Sequence, residues 1–321
     1  MGGNALKTCY TRRYSANEYN QLRYVITTKL IMCKFVQRAQ TILSYRQKET
    51  FGDMDVLYST YDDVPLNIHD IKFLFPSTKE VVRNSDIISF EHSEFQIDLI
   101  HIKKESYDYA YFSWNDLGNL TGRIAHKFGL KHGHRGLTLP LRDGDNLFDE
   151  IVLTYDHDRA LTFLGFDSIN QIYNYVITNK YFNPEIYKLE NLNTIARTRD
   201  KKRPTYNGFL KFCSDIDSSK CYQYNIDKTV YLSKIFSYFP ECQQQFDDIM
   251  AKLAMQKLAK EKFNGLIVSY YTGLKDKLLG QFMKYLKTKR EFSQSFICYL
   301  TDMQIEKNIM MYFEDFKNEQ I

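Results

Sequence analysis

The stretch Arg46-Gln47-Lys48-Glu49-Thr50-Phe51-Gly52-Asp53-Met54-Asp55-Val56-Leu57 has residue types and a spacing that could do chemistry. Side chains alternate between the faces of a strand, so Asp53 and Asp55 point one way while Met54 and Val56 point the other. One side then carries oxygen ligands and the opposite side can be buried. Gly52 lets the backbone turn tightly and come close to a phosphate. Hard cations such as Mg²⁺ take oxygen ligands, and a pair of them can clamp the attacking and leaving oxygens of a phosphoryl transfer. Two carboxylates rarely suffice for two metals, so a third acid is expected on a neighbouring strand. Phe95-Gln96-Ile97-Asp98-Leu99-Ile100-His101-Ile102 has strand character, with Gln96, Asp98, Ile100 and Ile102 sharing a face. Asp98 is its only acid, and an unpaired carboxylate among apolar neighbours is costly until a cation removes the cost. Arg46 offers a fixed, bidentate cation for a triphosphate. The plainer account of Gly-Asp-x-Asp is a turn or helix cap before a strand; Asp98 and Arg46 weigh against it.

Several elements must hold these residues in place. Ser15-Ala16-Asn17-Glu18 is a capping-box pattern, and Tyr19, Leu22, Val25, Ile26, Leu30 and Cys33 keep helical spacing, predicting a helix over 16–35 ahead of the first strand. Residues 68–75 form a short helix or strand, and 87–90 with 95–102 a hairpin carrying Asp98. Around 109–128, Ser113 or Asn115 can cap a helix that buries Leu117, Leu120, Ile124 and Phe128. Its other face carries Asp116, Asn119, Arg123 and Lys127; opened by Tyr111-Phe112, it suits a base and its phosphate as well as plain solvent. His126, His132 and His134 find no Cys or acid to complete a metal set, and the glycines around them indicate a turn-rich connection.

Arg142-Asp143-Gly144-Asp145-Asn146 is a strong turn signal and marks the expected boundary. The domains predicted are an N-terminal helix (1–38), an α+β core (39–145) and a mostly helical C-terminal domain (146–321). Within the last, Asp167 or Ser168 can cap a helix over 169–178, Asn183-Pro184-Glu185 can start one ending near 196, and others cover 240–260 and 302–316. Arg197, Arg199, Lys201, Lys202 and Arg203 form the densest basic run, fit either for a nucleic-acid backbone or for a solvated surface.

The formal charge of +4 permits a polyanionic partner without demanding one. Six cysteines without framework spacing indicate free thiols and an intracellular protein. No apolar run is long enough to span a membrane. With 25 Tyr and 23 Phe, most aromatic rings must pack in the core.

The Arg46–Leu57 and Tyr111–Arg123 segments resemble the nucleotidyltransferase superfamily, most closely the palm and thumb of X-family DNA polymerases of the polymerase beta type. The likeness covers roughly residues 40–135. It implies an α+β fold with a mixed sheet, and Asp53, Asp55 and Asp98 as a catalytic triad binding two Mg²⁺ ions, with Mn²⁺ able to substitute. It further implies nucleotide-binding roles for Ser44, Arg46, Gly52, Tyr111, Phe112, Asp116 and Asn119. Arg123, Lys127 and the cations of the 197–203 run would hold DNA or RNA. The expected activity is addition of nucleotides from a nucleoside triphosphate to a nucleic-acid 3′-hydroxyl. Two alternatives stand beside it: a template-independent RNA or tRNA nucleotidyltransferase, and a nucleic-acid-binding protein whose catalysis has lapsed. The chain departs from the family where a Gly-Ser pair is replaced by Ile42-Leu43-Ser44, and where Trp114 stands for the glycine after the Tyr-Phe pair.

Overall fold

The computed structural model describes residues 5–44, 48–84, 87–103, 105–166 and 172–319. Arg46, predicted to hold the triphosphate, and Asp167 and Ser168, predicted to cap a helix, lie outside them. The chain divides into two compact units, Met1–Pro240 and Glu241–Ile321.

In the first unit β1 (Tyr14–Ser15) leads into α1 (Ala16–Ile31), followed by β2 (Val36–Thr41), β3 (Thr50–Phe51), β4 (Asp53–Thr60), α2 (Ile68–Leu74), β5 (Val81–Asn84), β6 (Ile87–His92) and β7 (Phe95–His101). The main sheet has the order β2-β4-β7-β6-β5; β4 and β7 run parallel and the other pairs antiparallel. Met54, Val56, Phe95, Ile97 and Leu99 turn to one face and pack with Tyr19, Leu22, Ile26 and Leu30 of α1. The opposite face carries Leu57, Ile100 and Ile102, met by Tyr109 and Phe112 of α3 (Glu105–Phe112). The acids therefore sit on the α3 side of a sheet whose other side is sealed by α1.

The remainder of this unit comprises α4 (Leu117–Lys127), β8 (Lys131–Gly133), β9 (Gly136–Asp143), β10 (Asn146–Thr154), α5 (His157–Phe163), α6 (Ile172–Ile177), α7 (Thr194–Asp200), α8 (Pro204–Phe212) and α9 (Leu232–Tyr238). Aromatic rings fill its interior, with Phe128 edge-on to Tyr181, Tyr231 and Tyr224. The second unit is helical: α10 (Gln243–Lys262), α11 (Gly265–Thr272), α12 (Asp276–Leu286), α13 (Gln294–Ile297) and α14 (Asp302–Glu319) enclose Val268, Phe282, Leu286, Ile305 and Ile309. No helix among the described residues is long and apolar enough to cross a membrane, and the cysteines are free.

The mixed α+β sheet followed by a helical C-terminal part agrees with the expected class, but three local expectations are corrected. The first helix stops at Ile31, and residues 32–35 turn into β2, with the Cys33 N–H donating to the Leu30 carbonyl and the Val36 N–H to the Cys33 carbonyl in place of further helical bonds. The turn at 142–146 joins β9 to β10, pairing Asp143 with Asn146, and the compact units divide instead after Pro240. The single helix expected from 183 to about 196 is two 3₁₀ turns, Pro184–Ile186 and Leu189–Asn191, before α7. Asn183 caps the first turn, and the Asn193 side chain accepts the Ala196 N–H to begin α7 anew.

Candidate metal centre

Asp53 opens β4 and Asp55 follows two residues on, so both project from one face. In the parallel pairing with β7, Asp55 lies opposite Asp98 and Asp53 opposite Gln96. One carboxylate oxygen from each of Asp53, Asp55 and Asp98 lies within 4.8 Å of the others. Opposite oxygens around an octahedral Mg²⁺ are about 4.2 Å apart, so this spacing fits a shared coordination sphere. Among the described residues this is the only group of His, Cys, Asp or Glu that could hold a metal; the histidines at 126, 132 and 134 form none.

The donor chemistry also fits a cation. Burial raises the Asp55 carboxyl to about 8, and the charges of Asp53 and Asp98 add to the rise. Burial likewise raises Asp98 to about 6, although a Ser89 hydrogen bond favours its ionised form. A divalent ion relieves both desolvation and repulsion. Asp98 is also oriented: the Gln96 amide donates to its two oxygens at 2.9 Å each. The Gln96 carbonyl in turn accepts the Ala5 N–H at 3.0 Å, fixing which way the amide points. Such outer partners govern how firmly a ligand is held.

Lys48 is a cation beside the acids. Burial lowers its ammonium pKa while Asp53 and Asp55 pull it back up, and Nζ lies 4.4 Å from the centre of the Phe51 ring. Phe51 stacks on Tyr19 at 3.9 Å, and burial with the nearby Asp55 charge raises the Tyr19 hydroxyl well above its usual value. Gly52 forms the bend between β3 and β4.

Ser44 follows a short crossing of segments at the rim: Leu43 N–H donates to the Ser113 hydroxyl at 3.1 Å, and Trp114 N–H to the Leu43 carbonyl at 2.7 Å. Trp114 and Asn115 both hold positive φ, 65° and 57°, a costly conformation for such residues. Glycine adopts it freely, whereas Trp114 carries backbone strain there. The predicted caps are corrected here. Ser113 instead bonds Tyr109 and Leu43, Asn115 lies in the left-handed turn, and Asp116 takes the cap position without a capping bond. Tyr111 packs on Gly118 so closely that a Cβ there would lie 2.7 Å from the Tyr111 carbonyl oxygen. Phe112 stacks on His134.

The polar face of α4 and the 197–203 run, taken from sequence as two patches, form one network. Asp116 pairs with Arg203, Asn119 accepts from Arg199 at 2.7 Å, and Arg123 reaches Asp200 at 2.5 Å. Arg199 also pairs with Asp200 at 2.7 Å. Asp200 is fully buried; burial would raise its pKa, but Arg199 and then Arg123 hold it below the ordinary carboxylate value. The guanidinium of Arg197 donates to the carbonyls of Leu189, Glu190 and Leu192, so it ties down a turn. Lys201 and Lys202 are exposed, Lys127 is half-buried, and the Arg203 charge favours ionised Asp55.

Ser89, Gln96 and Lys48 were not singled out beforehand. Gln96 could have been, since it shares the Asp98 face at a spacing of two; Ser89 depended on a third strand, and Lys48 on the bend at Gly52. No protein-family model matches this chain, and no curated protein matches it.

Proposed function

We propose that this chain is a metal-dependent nucleotidyltransferase that adds nucleotides from a nucleoside triphosphate to a nucleic-acid 3′-hydroxyl. The convergence of Asp53, Asp55 and Asp98 from two parallel strands carries this reading. When bound there, Mg²⁺ would supply Lewis acidity toward the hydroxyl and the triphosphate. Asp53, Asp55 and Asp98 would hold the cation through one oxygen each. Asp98, held by Gln96 and Ser89, positions the attacking hydroxyl. The O3′–Pα bond forms as the Pα–O bond to the β-phosphate breaks; pyrophosphate leaves and the hydroxyl proton is released. Lys48 and Arg203, the cations whose charge reaches the acids, offset charge on the phosphates.

A labelled primer incubated with Mg²⁺ and each NTP or dNTP, with and without a template strand, tests the proposal. Extension by the native chain and none by Asp53→Ala or Asp98→Ala is expected. Equal turnover in a folded variant would end the proposal. Extension without a template assigns the tailing alternative, and absence of extension with retained nucleic-acid binding assigns the binding-only one.

A further inference from the structure

α12 presents a basic face that its own unit does not explain. Lys277, Gly280, Gln281 and Lys284 recur at helical spacing on the side away from the buried Phe282 and Leu286, the C-cap Lys287 and then Thr288 follow them, and all six are exposed. From Lys277 to the C-cap Lys287 they extend over about 15 Å of helix axis. The helix itself carries Lys277 and Lys284 against Asp276, and with its flanks the segment 275–290 carries six cations against that single acid, so the segment is net basic. Among the described residues, no acid lies within ion-pair distance of Lys277, Lys284 or Lys287.

Two features separate this face from an ordinary solvated one. Lys284 and Lys287 complement the negative end of the helix, but Lys277 is its second residue, where a positive charge opposes the dipole. Gly280 sits in the helix interior, where glycine is among the poorest choices. A Cβ built on Gly280 would meet nothing within 4 Å, so no packing among the described residues of this unit requires the missing side chain. Lysines flank it at i−3 and i+4, leaving bare backbone between two ammonium groups on one face.

We propose that this face of α12 binds the phosphate backbone of a nucleic acid, with Lys277, Lys284 and Lys287 on the phosphates and Gly280 at the point of closest approach. A membrane surface fits less well, because insertion needs an apolar stripe beside the cations, and here Gly, Gln and Thr stand between them while the exposed Leu278 is a single residue about 100° around the helix from Lys277. The site goes beyond the metal centre and does not depend on it.

Fluorescence anisotropy of the full chain with a short labelled single strand and a duplex, in EDTA over a range of salt, is the test. Replacing Lys277, Lys284 and Lys287 together by Gln should weaken binding alike on unrelated sequences. The slope of log K against log salt should fall by about 0.7–0.9 per lysine. Gly280→Ala should raise the melting temperature yet weaken binding severalfold, which separates contact from folding. Stabilisation by Mn²⁺ or Mg²⁺ should be unchanged in both variants, so a failure here is distinct from a failure at the acids. An unchanged salt slope in the triple variant overturns the proposal, as does binding to phosphatidylserine vesicles without binding to either nucleic acid. Unchanged affinity in Gly280→Ala overturns the close approach.

Discussion

Asp200 and the Asp53, Asp55 and Asp98 group show two ways of enclosing carboxylates in one unit. Asp200 is fully buried and has Arg123, Arg199 and Asn119 around it, and its pKa is lowered. Asp55 and Asp98 are only half-buried, but they face each other across parallel strands and their pKa values are raised. The Asp200 arrangement is electrostatically complete within the chain. The strand acids are arranged so that a cation from outside would complete them, which makes them the stronger functional candidate.

The widest test of this contrast is removal of a carboxylate. Asp53→Ala or Asp98→Ala should lower transfer by about a thousandfold or more, as expected for an electrostatic element of the reacting site, while leaving circular dichroism and the melting temperature without metal unchanged or higher. Asp200→Ala should instead cost about 3 kcal/mol in denaturant unfolding, because it strands two arginines, one of them largely buried. If Asp200→Ala left stability intact, the two regions would not differ in kind.

A smaller effect is expected from Gln96→Leu. Losing both bonds to Asp98 should reduce metal affinity about 10- to 100-fold, read by Mn²⁺ titration. An unchanged affinity would show that Asp98 needs no orienting partner.

The pH profile sharpens the contrast further. Because Asp55 and Asp98 have folded pKa values above the ordinary 3.8, their stabilising contribution is full below pH 3.8 and is lost as pH rises through about 6 and about 8. Asp200, with a lowered value, contributes above pH 3.8 and is lost as pH falls below it. The free energy of chemical unfolding in EDTA should therefore fall between pH 4 and 8 through the strand acids, and saturating Mg²⁺ should flatten that decline; removing Asp98 should reduce it.

Some of this was legible in residue types and spacing. The capping box at Ser15 and Glu18 forms as expected, with the Ser15 N–H donating to Glu18 at 2.8 Å. The faces of 53–57 and 95–102 follow from alternation, which is local geometry. The role of the 197–203 run was not legible, because Arg197 serves carbonyls beside its own helix while Arg199 and Arg203 cross to α4, some 80 positions earlier in the chain. A basic residue looks the same in sequence whether its partner is water or a distant carboxylate.

By itself the sequence determined which side chains share a face of the two acid-bearing strands and the capping box that begins α1, since both depend on backbone geometry over a few residues. Only the tertiary structure decided that Asp55 stands beside Asp98, that Gln96 and Ser89 brace it, and that Asp200 gathers the arginines. Those are pairings between strands and helices far apart along the chain, and they are selected by sheet register and burial.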